Sequence, residues 1–176
     1  MPLIVQSDTG TTPGANAYID SAFADSYFVD LNKDDTEWAG LDQEEKDAAI
    51  ISATSYIDNV NMGKFLGVRL TEGQLTQFPR INIYDYDGYP VYGVPELLKR
   101  ATAEYALRAV VDSLAPDLTY DDSGIPIKSK LEKVGPITEQ TVYQDDVLSP
   151  TTIKKYPEAD MLLKQYVQPN NYLVRG

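Results

Sequence analysis

The sequence of 176 residues contains no cysteine and no histidine. Without cysteine the chain has no disulfide bond, no thiolate nucleophile and no cysteine ligand for zinc. Without histidine it lacks the side chain that most often acts as a general base and most often binds transition metals. Only carboxylate, lysine or tyrosine chemistry is left for catalysis. We therefore expect a protein that is not an enzyme and that holds neither a cofactor nor a metal ion.

Positive charge is also scarce, because 15 Lys and Arg residues stand against 27 Asp and Glu residues and give a formal net charge of -12. DNA affinity depends largely on cations that neutralise phosphates and release counterions. The one concentrated basic stretch comprises Lys128, Lys130 and Lys133, and Glu132 interrupts it. This charge distribution disfavours specific binding of DNA.

Long apolar runs are absent as well. No segment approaches the roughly eighteen consecutive apolar residues of a transmembrane helix. The short apolar run at residues 3–5 follows no basic region, so we expect no secretory signal. These observations predict a protein that is made in the cytoplasm and has no membrane partner.

The apolar share of 43% is typical of a globular chain, and the length suits one hydrophobic core. The pattern predicts a mainly α fold, a small bundle of about four helices with one or two short β-hairpins and extended N- and C-terminal arms. The predicted division is an N-terminal arm at 1–15, a helical domain with hairpin insertions at 16–167, and a C-terminal tail at 168–176.

Local signals mark where the helices begin. Asp42 and Glu45 have the spacing of a capping box, in which each side chain bonds the backbone of the other residue. Pro95 and Pro157 suit the first turn of a helix, where the missing N–H costs nothing. The predicted helices are a short one capped by Asp20 or Ser21, one at about 43–59, one from Pro95 towards Leu114, and one from about Pro157 to Tyr166.

The third predicted helix is apolar around most of its circumference, which is typical of a central helix. Its charged positions alternate in sign at intervals of four residues: Arg100, Glu104, Arg108 and Asp112. Such pairs could form an exposed stripe worth a few tenths of a kcal/mol each. They could equally be where one subunit meets the next. The sequence leaves both interpretations open.

Two hairpins are predicted. Residues 128–134 and 137–143 flank a Gly-Pro turn, and residues 83–92 surround an Asp-Gly sequence at 87–88, which favours a type I′ turn. That register pairs Tyr86 with Tyr89 and Tyr84 with Val91. A calcium loop ending at this turn would need acidic residues where Ile83 and Val94 stand, so the turn is the better interpretation.

Tyrosine is abundant, with thirteen in the chain, and four occur close together: Tyr84, Tyr86, Tyr89 and Tyr92. Proteins that hold single-stranded nucleic acid stack bases on such rings, but they interleave them with cations. Here the interleaved charges are Asp85 and Asp87, which repel phosphate. Cross-strand packing or contact between subunits is therefore favoured over nucleic-acid binding.

An ordered series of sequence blocks is similar to one known family. The strongest is VPELLKRATAE at 94–104. The blocks are Gly10, 15–19, 24–28, Trp38, 45–50, 53–58, 65–69, 78–80, 87–88, 94–104, 133–137 and 156–163. They resemble the head-to-tail connector, or adaptor, proteins of tailed bacteriophages, a family also described as DnaT-like single-stranded-DNA-binding proteins. Phe78 departs from the Trp that is usual there.

The resemblance implies a helical subunit of a homo-oligomeric ring of about twelve copies in the neck of a virion, assembled in the host cytoplasm. Its implied partners are the portal, a downstream neck or tail protein, and genomic DNA that passes without specific binding. It carries over no catalytic residue. It also implies portal docking by the C-terminal segment, here Tyr172, Leu173, Val174 and Arg175.

We therefore predict a structural virion protein, a head-to-tail adaptor that binds the portal and leaves a DNA channel open. The charged positions 100, 104, 108 and 112 and the four clustered tyrosines are its candidate subunit contacts. An alternative is a phage protein that binds single-stranded DNA, with affinity that falls steeply with salt. A second alternative, a magnesium-dependent hydrolase, lacks acidic residues with recognisable ligand spacing.

Overall fold

A computed structural model describes residues 1–33, 37–116, 119–120, 126–133, 138–143 and 154–168. The chain divides into two compact units. One comprises Met1–Leu114 together with Lys155–Gly176, and the other comprises Ala115–Lys154. The predicted bounds of arm, helical domain and tail stay a prediction.

The first unit contains four helices and a short antiparallel sheet, which confirms the mainly α prediction. Its elements are α1 (Ser21–Asp30), a 3₁₀ turn (Glu37–Gly40), α2 (Gln43–Val60), β1 (Val68–Arg69), β2 (Arg80–Ile81), α3 (Glu96–Val111) and α4 (Pro157–Leu163). The second unit contains β3 (Thr119–Tyr120), β4 (Pro126–Lys133) and β5 (Thr138–Tyr143).

The helices begin where the local signals placed them. The Asp42 carboxylate accepts from the Glu45 N–H, and the Glu45 side chain accepts from the Asp42 N–H, so the capping box is complete. Asp20 caps α1 by accepting from the Phe23 N–H at 2.8 Å. Pro95 is the N-cap of α3. The C-terminal ends are less well predicted, because α3 ends at Val111 and α4 at Leu163.

Helix α3 is the centre of the first unit and packs against α1, α2, α4 and the 3₁₀ turn. Residues 101–106 are all buried, as is Leu98, which confirms a helix covered on most sides. Small residues let the partner helices approach closely: Ala101, Ala103 and Ala106 on α3 are fully buried, as is Ala53 on α2. A fully buried side chain the size of Leu98 contributes about 2 kcal/mol to stability.

The N-terminal segment is extended and is held against the first unit by contacts with distant residues. Leu3 packs against the core, and Val5 forms a parallel bridge with Ala17. Gln6 is buried and donates from Nε2 to the Thr76 hydroxyl at 3.0 Å. The polar groups of this segment find partners far along the chain, which the sequence pattern does not reveal.

The connection between α2 and α3 is held by a half-buried carboxylate on α2. Asp58 accepts from the Tyr18 hydroxyl at 2.5 Å and from the Gln77 N–H at 3.0 Å. The same hydroxyl accepts from the N–H of Phe78, whose peptide bond to Pro79 is cis. Burial raises the pKa of Asp58 to about 6, against the effect of these hydrogen bonds.

The hairpin that follows β2 forms, but the predicted turn and register are wrong. Tyr84 pairs with Pro90, not with Val91, and the Asp85 N–H donates to the Tyr89 carbonyl at 2.9 Å. The turn needs positive φ only at Gly88, where φ is 86°. The Asp85 carboxylate causes this difference, because it accepts from the N–H groups of Asp87 and Tyr89 and so favours a three-residue loop.

The second unit is an antiparallel three-stranded sheet in the order β3-β4-β5. Strands β4 and β5 pair from Lys133 with Thr138 to Ile127 with Tyr143, which confirms the hairpin predicted around the Gly-Pro sequence. The other edge of β4 pairs with the short strand β3, in which Tyr120 lies opposite Pro126.

Candidate functional site

A groove of about 730 Å³ opens on the first unit, and three lysines stand on its walls. We call it the lysine groove, after Lys64, Lys155 and Lys164. Its remaining lining is largely apolar. The other lining residues are Val60, Asn61, Leu66, Tyr86, Tyr105, Pro157, Asp160, Met161, Leu163, Gln165, Val167 and Gln168.

Helix α4 supplies one wall of the lysine groove. Pro157, Met161 and Lys164 lie three to four residues apart, so they share one face of the helix. Glu158 lies on another face, where it accepts from Lys33 and Arg108, each at 2.7 Å. These ion pairs tie α4 to the rest of the unit and orient the face that carries Met161 and Lys164.

Lys64 is brought to the groove by a short antiparallel pairing at the end of α2. The helix ends at Val60 with Asn61 as its C-cap, and Gly63 then turns the chain with a φ of 74°. Phe65 bridges with Val167, and the Gln168 N–H donates to the Lys64 carbonyl at 2.9 Å. This pairing fixes the backbone of Lys64 beside the segment that follows α4.

Arg80 reinforces the same segment but takes no part in the groove. Its guanidinium donates to the carbonyl of Leu66 at 2.7 Å and to that of Gly67 at 2.8 Å. It also lies over the Phe65 ring. This cation is therefore used to hold the backbone. Among the groove lysines, the Lys64 Nζ donates to the Val60 carbonyl at 2.9 Å, and all three residues are exposed.

Three tyrosines pack beneath the groove. The ring centroids of Tyr56, Tyr105 and Tyr156 lie 5.2 to 6.0 Å apart, which is the usual range for tilted and edge-on pairs. Burial raises the pKa of Tyr56 to about 12 and also raises that of Tyr105. Of the three, Tyr105 lines the groove and presents a neutral side chain to it at physiological pH.

The groove is a cationic site on an acidic protein. The one carboxylate in its lining belongs to Asp160, which accepts from the Tyr105 hydroxyl and from the Tyr156 N–H. Within the part of the chain that the structure describes, Lys64, Lys155 and Lys164 form no ion pair with a carboxylate. Three positive charges thus face one carboxylate that is already hydrogen-bonded, which favours an anionic ligand.

Tyr86, at the tip of the hairpin, stands where the lysine groove meets a second hollow of about 460 Å³. We call this hollow the side cleft. Tyr86, Met161, Lys164 and Gln165 line both, and Leu97 and Leu162 complete the side cleft. Tyr86 is 78% exposed and Met161 68% exposed. Two large apolar side chains are therefore accessible at this junction, beside a lysine.

The predicted ladder on α3 does not form one stripe. Glu104 is fully buried and pairs with Arg108 at 2.6 Å, as its spacing suggests, and also with Lys33 at 2.9 Å. Arg100 pairs instead with Glu96 at the surface. The interpretation of the ladder as an exposed stabilising stripe is thus wrong for Glu104, because the chain itself surrounds that carboxylate.

The assignment of Arg100, Glu104, Arg108 and Asp112 to a subunit interface stays a prediction. So does that of the four hairpin tyrosines, Tyr84, Tyr86, Tyr89 and Tyr92, all of which are exposed. Of these four, Tyr86 lines the groove. The predicted docking residues Tyr172, Leu173, Val174 and Arg175 lie outside the described residues.

The described residues contain neither a cluster of metal ligands nor a membrane-spanning helix. No group of three or more acidic side chains in the described ranges could hold a metal ion. In those same ranges no helix combines the length and the apolar character needed to cross a membrane.

The family to which the chain belongs follows from a comparison with protein-family models. A family model described as "Putative DnaT-like ssDNA binding protein" matches residues 1–176. The chain belongs to this family. A search of curated proteins and a search of solved structures each gave no match.

The family match overturns the prediction of a head-to-tail adaptor. The description of this DnaT-like family refers to single-stranded DNA, and no comparison supports a virion connector, a portal or tail partner, or a ring of twelve copies. It describes a binding protein and names no reaction. The prediction that DNA passes without specific binding is also wrong, because the family description names single-stranded DNA as what is bound. The location of the protein stays a prediction.

The physical cause of the wrong prediction is that the order of charged residues in the sequence does not show which of them lie together in the folded chain. Lys64 is far in the sequence from Lys155 and Lys164, so the three lysines form no basic cluster there. Asp85, which precedes Tyr86, also has a structural role that the sequence does not show, because its carboxylate accepts hydrogen bonds from the backbone of its own turn. The fold thus creates a local cationic site that the net charge of -12 conceals.

Proposed function

We propose that the protein binds single-stranded DNA, with the phosphates of the strand in the lysine groove. The observation that carries the proposal is the match of the DnaT-like family model to residues 1–176. The groove supports it, because it gathers three lysines and one accessible tyrosine on an otherwise acidic chain. Cations that follow the backbone and aromatic rings that receive bases are what sites for single strands combine.

The acidic remainder of the chain limits where DNA can bind. With 27 acidic side chains on 176 residues, most of the surface repels phosphate, and this repulsion confines a strand to the groove. We therefore expect modest affinity and a small number of phosphate contacts. Three lysines on a single strand predict that log K falls with log[salt] with a slope of about −2.

The test is fluorescence anisotropy with a labelled oligothymidylate at several salt concentrations. We expect binding at low salt that weakens about 20-fold when the salt is raised fourfold, as a slope near −2 requires. A triple variant with Lys64→Gln, Lys155→Gln and Lys164→Gln is expected to lose affinity on the order of 100-fold and to become nearly insensitive to salt.

A matched control removes a lysine outside the groove. Lys99 lies on α3 and lines neither the groove nor the side cleft. Lys99→Gln is expected to bind within about twofold of the parent, since long-range charge effects are screened. Circular dichroism checks that each variant is folded. Absence of binding by the parent at low salt, or full binding by the triple variant, would refute the proposal.

A further inference from the structure

We infer that the junction of the lysine groove and the side cleft is a nucleobase subsite, in which one unpaired base lies between the Tyr86 ring and the Met161 side chain. The inference rests on the proposed function and adds to it a specific ligand group, the flat face of a base. It also assigns different roles to the lysines, which hold phosphates, and to Tyr86, which holds the base.

The first argument is the exposure of the two apolar side chains. Tyr86 and Met161 are each more than two thirds exposed, yet both line the groove and the side cleft. Water contact at such surface is unfavourable, and a planar apolar group between the two would remove it. A tyrosine ring stacks on any base, and a thioether makes favourable contacts with aromatic rings.

The second argument is charge complementarity at the junction. Lys164 lines both hollows beside Tyr86 and Met161, and Lys64 and Lys155 continue the positive charge along the lysine groove. A base is joined through its sugar to phosphates, so a base between Tyr86 and Met161 would place its phosphates near these lysines. An apolar peptide would satisfy the two apolar side chains but would leave the lysines without a counter-charge.

The third argument is that the hairpin holds Tyr86 in place. The Asp85 carboxylate accepts two backbone N–H groups of the turn, and Ile83, at the base of the hairpin, is buried. At the other end the Val94 N–H donates to Asp8 at 3.0 Å. The Tyr86 backbone is therefore fixed before DNA arrives, which lowers the entropy cost of binding.

The subsite explains how the protein would distinguish single strands from duplex. In duplex DNA both faces of each base are covered by neighbouring bases, so no face is available to Tyr86 without unstacking. Because every base has such a face, the subsite is expected to tolerate any sequence. Phosphate contacts alone would not discriminate in this way, since both forms carry them.

The test compares three variants with the parent. We expect Tyr86→Ala to weaken binding of the oligothymidylate about tenfold, as loss of one stacked base does, and Tyr86→Phe to bind like the parent. Tyr89→Ala is the matched control, because Tyr89 is 69% exposed on the same hairpin but does not line the groove. The salt slope of Tyr86→Ala should equal that of the parent, unlike that of the lysine variant.

Two probes report the base directly. An abasic oligonucleotide keeps the phosphates, so the parent should bind it about tenfold more weakly and Tyr86→Ala should not discriminate. The fluorescence of an oligonucleotide that contains 2-aminopurine should be quenched when the parent binds and not when Tyr86→Ala binds. If the parent binds DNA through its lysines but Tyr86→Ala binds as tightly as Tyr89→Ala, the base subsite is wrong and the proposed function stands. If the parent does not bind, both fail.

Discussion

Replacement of Glu104 by glutamine tests the buried ion pairs that hold α3, α4 and residue 33 together. The Glu104 side chain is 0% exposed, and its Oε1 accepts from Lys33 at 2.9 Å and from the Tyr27 hydroxyl at 3.1 Å. Its Oε2 accepts from Arg108 at 2.6 Å. Glutamine has the same shape but no charge, and its amide hydrogens would face a cation.

The expected loss of stability follows from this burial. Removing one partner of a buried ion pair costs about 3 to 5 kcal/mol, because the other charges stay desolvated. Here Lys33 and Arg108 are each about a quarter exposed and keep Glu158 as a second partner, so the lower figure applies. We expect Glu104→Gln to lower the free energy of unfolding by about 3 kcal/mol and Tm by about 6 to 12 °C.

The measurement is urea unfolding followed by circular dichroism, with an exposed pair on the same helix as the control. Arg100 pairs with Glu96 at 3.0 Å, and both side chains are about half exposed. Glu96→Gln should therefore cost no more than about 0.5 kcal/mol. Adding Arg108→Met to Glu104→Gln should cost less than the sum of the two single changes. Equal losses for Glu104→Gln and Glu96→Gln would show that burial does not strengthen this network.

Two further predictions concern half-buried positions, Asp58 on α2 and Gly67 in the connection between α2 and α3. The folded pKa of Asp58, about 6, lies above its ordinary value of 3.8, so the folded protein binds a proton that the unfolded chain does not. This contribution to stability is complete below about pH 4, amounts to about 2 kcal/mol at pH 4.5 and is lost above pH 6. Asp58→Asn should remove it from the pH dependence of the free energy of unfolding, measured with urea. Parallel plots of unfolding free energy against pH for parent and variant would contradict the assignment. A Cβ on Gly67, where φ is 66°, would lie 2.1 Å from the Ile81 carbonyl oxygen, so Gly67→Ala should cost at least about 2 kcal/mol in thermal melts. Gly73→Ala meets no atom within 4 Å and should be nearly neutral; similar melting temperatures for the two variants would contradict the close approach.

The sequence predicted the helices well because their signals are local. The capping box at Asp42 and the prolines at 95 and 157 act within one turn of backbone, so no distant residue was needed to place them. The buried character of α3 was likewise visible in the chain of apolar residues that covers most of its circumference. Helix ends were less certain, since tertiary contacts decide how far the last turn extends.

The candidate site was not predictable in the same way, because it depends on contacts between distant segments. Lys64 reaches Lys155 and Lys164 only through the pairing of Phe65 with Val167. Lys33 likewise meets Glu104, 71 residues away. No periodicity or spacing encodes such contacts. The tyrosine cluster is visible in the sequence, but only the fold shows that Tyr86 lines the groove and that its exposed neighbours do not.

Because the chain is synthesised from its N-terminus, these distant contacts can form only late in synthesis. Gln6 can bond Thr76 only after 70 more residues have been synthesised. Asp8 can bond Val94 only after 86 more residues have been synthesised. Lys33 meets Glu158 only after another 125 residues. The segment that closes this ion pair also carries Lys155 and Lys164. A nascent chain would therefore have no lysine groove until residues 155–168 had been made.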